Sequence, residues 1–515
     1  MNVADWIDRW AGFHGDKPAL RCEERAWSYA ELSRRIGQVA HVLDQGLGVR
    51  HGDRVAWLGL NSPESLVLLF ACARLGAMFM PINWRLAPAE VDVLFHDASP
   101  TVLAVEPDFA ALIEQYGKGF GDCRRVCTGG PRPGWLDWDA MAEAAIPLAD
   151  KGTGRYSDLL LLCYTSGTTG TPKGATLTQE AVLWNAVNSI HMHDLTSQDR
   201  VLTTLPLFHV GGLNILTLPA LHSGATVTLH RKFTPEAALA AIRAERITLT
   251  VLVPTQLDMM MASPDWARTD FSSLRCVTTG STIVPVRLPQ ALAKDGIKLI
   301  QVYGSTETGP IAAYQRLADA GRLGVTGKCA IHCELRIVDP VGSEVGRGEA
   351  GEILVKGPNV MAGYWRDEKS TASALQNGWF HTGDVGELDD DGYLVVKDRK
   401  KDMIISGGEN IYPAQLEMVL AECPDIAEAA VVARPDERWG EVPVAVVVPR
   451  PGVRLTVERV LALFEGRVAR YKHPRGVVFL DQLPRTSIGK LIKARIREIV
   501  KDMPWQTSKE PEKSL

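Results

Sequence analysis

The chain has 515 residues, of which 46% are apolar and 23% charged, and a formal net charge of −5. It is too long for one ordinary core, so two or more domains are expected, and the small charge argues against a nucleic-acid partner held by bulk electrostatics. Its nine cysteines are odd in number and lack a paired framework, which fits a reducing compartment; the C-x-x-x-C pairs Cys123/Cys127 and Cys329/Cys333 (His332 between) lack the second ligand pair of a metal site.

Taken from the start, MNVADWIDRW carries acidic residues and no apolar run, so no secretion signal is expected. YAELSRRIGQVAHVLDQGLG has helical spacing with a Gly-rich stop, and RVAWLGLN reads as a short buried strand. SPESLVLLFACARLG predicts a helix, AMFMPIN a strand, APAEVDVLFHDAS a helix and TVLAVE a strand. The most hydrophobic window is broken by Arg74 and ended by Pro81, short of a membrane span. The same rhythm returns in ATVTLHRKF, TPEAALAAIRAERI and TLTVLVP, then LRCVTTGS, PVRLPQALAKDG and KLIQVYGS. Strands alternating with helices imply largely parallel sheets covered on both faces, here in two related layers. From about residue 325 to 398 short Gly-rich alternating runs predict antiparallel strands. DRKKD (398–402) then forms a charged connector, and beyond it the pattern is that of a compact α+β unit with a frayed tail. The terminal KSL scrambles the peroxisomal S-K-L, leaving the cytoplasm as the expected location.

Between the two layers stands YTSGTTGTPKG, residues 164–174, with almost nothing apolar to bury. Glycines let backbone N–H groups close in on a ligand, the hydroxyls add donors, and Lys173 adds positive charge, a combination suited to a polyphosphate. The order Gly167-Thr168-Thr169-Gly170-Thr171-Pro172-Lys173-Gly174 has no Gly-Lys-Ser/Thr, which rules out the P-loop pattern. For this stretch by itself a plain surface linker is the bland alternative.

Five more motifs follow in order: PLFHVGG (206–212), YGSTE (303–307), FHTGD (380–384), DRKKDMIISGGENIYP (398–413) and PRTSIGKLIK (484–493). With them the chain resembles the adenylate-forming enzymes, among them acyl-CoA synthetases, the adenylation domains of peptide synthetases and beetle luciferases. The resemblance implies a large α/β N-terminal domain, with parallel sheets flanked by helices plus a small antiparallel β region, and a small mobile α+β C-terminal domain. It implies an ATP- and acyl-binding domain at 1–398, a hinge at 399–401 and a lid at 402–515. In that family a carboxylate attacks the α-phosphate of ATP, pyrophosphate leaves, and the acyl-adenylate is handed to a thiol.

By the same resemblance, Thr165, Ser166, Gly167, Thr168, Thr169, Gly170, Thr171, Pro172 and Lys173 would hold the β- and γ-phosphates. Glu307 would bind the Mg²⁺ that bridges the phosphates, with Thr306 on the α-phosphate. Gly280, Ser281, Thr282, Gln301, Tyr303, Gly304, Ser305 and Thr308 would surround the nucleotide, Tyr303 offering a stacking face. Many relatives carry two Gly and an Ala where this chain has Gly280-Ser281-Thr282, which points to an altered acyl pocket. Asp384 would accept hydrogen bonds from the ribose hydroxyls, and Arg399 would add a ribose or phosphate contact. Lys490 would reach the α-phosphate and the carboxylate oxygen, a task suited to a compact ammonium on a flexible stem. Rotation about Lys401, where many relatives have Asp, would then bring Ser406, Gly407 and Gly408 to the site, leaving room for the pantetheine arm of coenzyme A. Trp439 would pack on that arm, Arg85 would meet the nucleotide phosphates of CoA, and His209 would stand between the acyl pocket and the thiol path.

The expected function is therefore an ATP-dependent acyl-CoA synthetase using ATP, Mg²⁺ and CoA. The family likeness implies as its acid a medium- or long-chain fatty acid or an aryl acid of cinnamic or feruloyl type. Val253, Pro254 and Gly280 read as an apolar lining without a cation for a second carboxylate, which disfavours a dicarboxylic acid. The expected partners are these small molecules, with no nucleic acid, no membrane span, and a homodimer as a candidate assembly. Three alternatives compete: an enzyme loading a separate carrier protein, a luciferase-like oxygenase, and a nucleotide sensor, which would have no need of Lys490.

Overall fold

Short runs of branched and long apolar residues become strands with no solvent-facing side: Met78–Pro81 and Val102–Val105 are buried at every position, as a parallel sheet covered on both faces requires. The structure, a computed structural model, describes residues 1–114, 122–148, 152–165, 172–280, 284–406, 409–436, 438–485, 491–501 and 503. The chain divides into two units, residues 1–336 with 354–381 and residues 337–353 with 382–515.

The large unit carries two sheets. Among the described residues one has eight strands, in the order Gly363–Tyr364, Lys173–Thr178, Leu159–Thr165, Met78–Pro81, Arg54–Leu58, Val102–Val105, Arg124–Cys127 and Leu136–Asp137. The other has nine: Lys328–Cys329, Ala313–Tyr314, Leu299–Tyr303, Cys276–Gly280, Leu249–Val251, Arg200–Thr203, Thr226–Leu229, Pro18–Cys22 and Arg25–Ser28. Both are parallel in their centres and antiparallel at edges. The two layers expected from the strand–helix rhythm are thus present. One addition was not legible: the N-terminal hairpin, Pro18–Ser28, joins the later sheet, with Leu20 registered against Val227.

One buried cluster takes Leu20 and Val227 from one sheet, Val55 and Phe79 from the other, and nearly the whole of helix Pro63–Leu75. Each such fully buried side chain contributes about 1.5–3 kcal/mol. Local chemistry sets that helix: Ser62 Oγ accepts from Glu64 N at 3.1 Å, Pro63 fits the first turn, and Gly76 at φ 70° ends it. Arg74, the charge that interrupts the apolar window, is buried and paired with Asp8 at 2.6 Å. No helix among the described residues is long and apolar enough to cross a membrane.

In the small unit Ile426–Asp436 pairs antiparallel with Gly440–Pro449, which pairs parallel with Gly476–Phe479. Alternation along the middle strand serves two cores. Ala445 and Val447 pack with Leu416 and Leu420 of helix Pro413–Ala421, whereas Val444 and Val446 pack with Ile496 and Val500 of helix Lys493–Lys501. A half-buried ion pair, Lys493 to Glu417 at 2.9 Å, joins the two helices.

Candidate active site

Parallel strands deliver their C-terminal ends to one edge of a sheet, where α/β proteins bind ligands. Leu159–Thr165 ends with Thr165 registered against Lys173, the first residue of the next strand. Lys173 is half-buried; its Nζ donates to Ser370 Oγ at 2.6 Å and stands 5.3 Å from the ring centroid of Tyr364. Pro172 is described and half-buried, whereas Ser166, Gly167, Thr168, Thr169, Gly170 and Thr171 lie outside the described residues.

The neighbouring strand ends supply the next group. Gly280 closes strand Cys276–Gly280, in register with Val302, and Gln301 faces Thr279. A β-carbon on Gly280 would lie 2.5 Å from Val302 O, and one on Gly304 1.8 Å from Pro310 O, so close backbone approach requires glycine at both. Tyr303 is half-buried and registered with Ala313. Ser305 N donates to Thr308 Oγ1 at 2.9 Å, closing the short turn Thr306–Thr308 that carries Glu307. Ser281 and Thr282 lie outside the described residues.

Glu307 is held by a segment to which sequence reasoning gave no role. Tyr364 OH donates to Glu307 Oε1 at 3.0 Å, and Met361 N donates to Glu307 O at 2.8 Å. Asn359, fully buried, donates through Nδ2 to Thr308 O at 2.6 Å and Ile311 O at 2.9 Å, while Cys333 Sγ donates to its Oδ1 at 3.0 Å. Asn214 Nδ2 donates to Gly309 O at 2.8 Å, supporting the same loop from behind. An oriented carboxylate beside a lysine is the donor set that a Mg²⁺–polyphosphate calls for, because Mg²⁺ keeps much of its shell as water and phosphate and takes few protein ligands. All nine cysteines are free thiols.

His209 opens the turn Val210–Gly212, its carbonyl accepting from Gly212 N and Leu213 N at 3.0 and 2.9 Å. Asn61 fixes the approach, donating to Leu205 O at 3.0 Å and accepting from Leu207 N at 2.8 Å. The His209 ring lies 5.2 Å from that of Phe208, and the Arg85 guanidinium sits 5.9 Å from Phe208 and 4.7 Å from Trp84. Burial lowers the Arg85 pKa from its ordinary value. Arg85 and His209 therefore flank one aromatic ring, although 124 positions of chain number separate them.

The small unit carries the remaining described candidates. Asp384 and Arg399 are in register across strands Trp379–Leu388 and Leu394–Arg399, with a 3.4 Å ion pair. Asp384 N donates to Thr382 Oγ1 at 3.0 Å. Lys401 is exposed at the surface, and partial desolvation, with the Arg399 charge next, lowers its ammonium pKa. Its neighbour Asp402 pairs with Arg497 at 3.1 Å. Ser406 lies opposite Glu409 and beside Gly440, and Trp439 lies under Arg438 and Arg475 at 5.0 and 5.8 Å. Gly407, Gly408 and Lys490 lie outside the described residues.

Comparison with known proteins gives the chain's family. The family model described as AMP-binding enzyme covers residues 7–365, and that described as AMP-binding enzyme C-terminal domain covers residues 415–490. The chain is 56% identical over 504 residues to indoleacetate–CoA ligase of Aromatoleum aromaticum, covering 97% of this chain and 98% of the relative. It is 43% identical to feruloyl-CoA synthase of an Amycolatopsis species, covering 96% and 99%. The fold is similar, at a TM-score of 0.86 and 31% identity over 96% of this chain and 99% of the other, to O-succinylbenzoate coenzyme A synthetase from Bacillus subtilis in complex with ATP and magnesium ion. The strand-end glycines, the lysine and the oriented carboxylate thus sit in a chain that belongs to the AMP-binding enzyme family.

Proposed function

We propose that this protein is an ATP-dependent aryl acid–CoA ligase, converting a monocarboxylic acid, ATP and CoA to acyl-CoA, AMP and pyrophosphate. The observation that carries the reading is that Lys173 and Glu307 both meet Tyr364, the lysine at its ring and the carboxylate at its hydroxyl, in an AMP-binding enzyme fold. The aryl class is supported by relatives named for indoleacetate and ferulate, and by the apolar residues around His209.

In the first step a carboxylate oxygen attacks the α-phosphorus as the bond to pyrophosphate breaks. Negative charge gathers on the departing phosphates, and Lys173 is the described cation placed to meet it. Mg²⁺, with Glu307 as its protein ligand, would neutralise the phosphates and align them. Gly280, Gly304 and Tyr303 form the floor for the nucleotide, and Asp384 with Arg399 is the pair proposed for the ribose. Lys490 is proposed to contact the α-phosphate and the attacking carboxylate. In the second step the CoA sulfur attacks the acyl carbon and AMP leaves. Rotation of residues 402–515 about a hinge at 399–401 is proposed to exchange Lys490 for Ser406, Gly407 and Gly408, with Arg85 and Trp439 assigned to CoA and His209 to the thiol path. The free thiols support a cytoplasmic setting.

The test is incubation with ATP, Mg²⁺, CoA and a panel of indole-3-acetate, phenylacetate, ferulate, benzoate and octanoate, following pyrophosphate release and loss of free thiol. The reading predicts coupled release and thiol loss, with an aryl acid turned over fastest. Pyrophosphate release that CoA never converts to thioester would contradict it, as would a clear preference for octanoate against the aryl class.

A further inference from the structure

Glu307 stands on a turn of three residues, Thr306–Thr308, too short to fix a carboxylate by itself. What fixes it is the segment from Gly357 to Thr371. Asn359 ties down the carbonyls on either side of Gly309, and Met361 N takes the carbonyl of Glu307 itself. Tyr364 then closes on the carboxylate with its hydroxyl at 3.0 Å. That tyrosine is anchored: its backbone pairs with Ala175 as an edge strand, and its N donates to Thr371 Oγ1 at 2.8 Å. Its ring meets the Lys173 ammonium, which Ser370 of the same segment also holds.

We propose that Tyr364 is a positioning residue: its hydroxyl occupies Glu307 Oε1 and so presents the rest of the carboxylate to the divalent cation that accompanies ATP, while its ring registers Lys173 against the same phosphates. The inference rests on the adenylation reading and deepens it. A group that hydrogen-bonds a metal-binding carboxylate orients it and withdraws its alternatives, and removing such a partner typically weakens metal affinity about tenfold or more. Asn359 fixes the turn beneath; Tyr364 aims the side chain above it.

The test uses the full-length Tyr364→Phe protein, which keeps the ring for Lys173 and deletes only the hydroxyl. Calorimetric titrations are run with ATP over a Mg²⁺ series and, separately, with AMP in the absence of divalent ions. The expected result is a Mg²⁺ concentration for half-saturation raised about tenfold, AMP affinity within about twofold of wild type, and an unchanged melting temperature. Glu307→Gln should give the same split in larger measure. Tyr364→Phe that binds Mg²⁺–ATP like wild type overturns the proposal, and so does an equal loss for AMP and Mg²⁺–ATP, which would mean a general role in pocket shape. Wild-type protein that binds neither nucleotide overturns the adenylation reading and this inference with it.

Discussion

At Gly304 one added methyl group would lie 1.8 Å from Pro310 O, a backbone atom that cannot swing aside. Gly304→Ala is therefore expected to cost about 3 kcal/mol of stability, read as a lower denaturation midpoint, and to abolish ATP binding in whatever fraction still folds. Gly211, whose β-carbon would meet nothing within 4 Å, should accept alanine without loss of stability. Lys490→Ala should lose adenylation by about three orders of magnitude, by analogy with other preorganised electrostatic contacts, yet still convert supplied acyl-adenylate to thioester; equal loss of both half-reactions would contradict its role. Lys173, Glu307 and the strand-end glycines were legible because each lies in a dense local motif. Tyr364 and Asn359 were not. They act on Glu307 and Thr308 from 57 and 51 residues away, and nothing in GPNVMAGYW names the group they touch.

Helix Gln179–His193 shows what periodicity conceals. Its buried positions include Gln179, Asn185, Asn188, Ser189 and His193, a polar face where an apolar one is the usual expectation. Each finds a partner: Asn185 donates to Asn214 O at 2.7 Å, Ser189 to Ile215 O at 2.5 Å, and His193 Nε2 meets Thr278 Oγ1 at 2.8 Å. Its polar packing was not legible, because the partners lie on other elements. Burial lowers the His193 pKa from 6.5 to about 4. On acidification the unfolded chain takes up its proton first, so this contribution is intact above pH 6.5 and is lost as the pH falls toward about 4. His193→Gln should flatten part of the fall in melting temperature across that window. His222, shifted the same way, retains its own part of the slope. An unchanged slope would contradict the burial account.

For the whole molecule the strand–helix rhythm made two parallel layers legible, and the charged DRKKD connector drew attention to the stretch around Lys401. The crossing of Pro18–Ser28 into the later sheet was not legible, since pairing across 200 residues leaves no trace in local pattern. Lys401 is exposed, next to the buried Asp402 and its Arg497 partner. Proline there fixes φ and removes the backbone donor; Lys401→Pro should leave adenylation within about threefold of wild type and block thioester formation, a loss of some orders of magnitude for a gated step. Unchanged thioester formation would argue against a hinge at this position. The central claim is that a carboxylate is joined to AMP before sulfur receives the acyl group, and isotope transfer tests it most directly. The preferred acid, labelled with ¹⁸O in both carboxylate oxygens, is turned over with ATP, Mg²⁺ and CoA, and the products are weighed by mass spectrometry. The account predicts a single ¹⁸O in AMP and none in pyrophosphate; unlabelled AMP, or label in any other phosphate product, would contradict it.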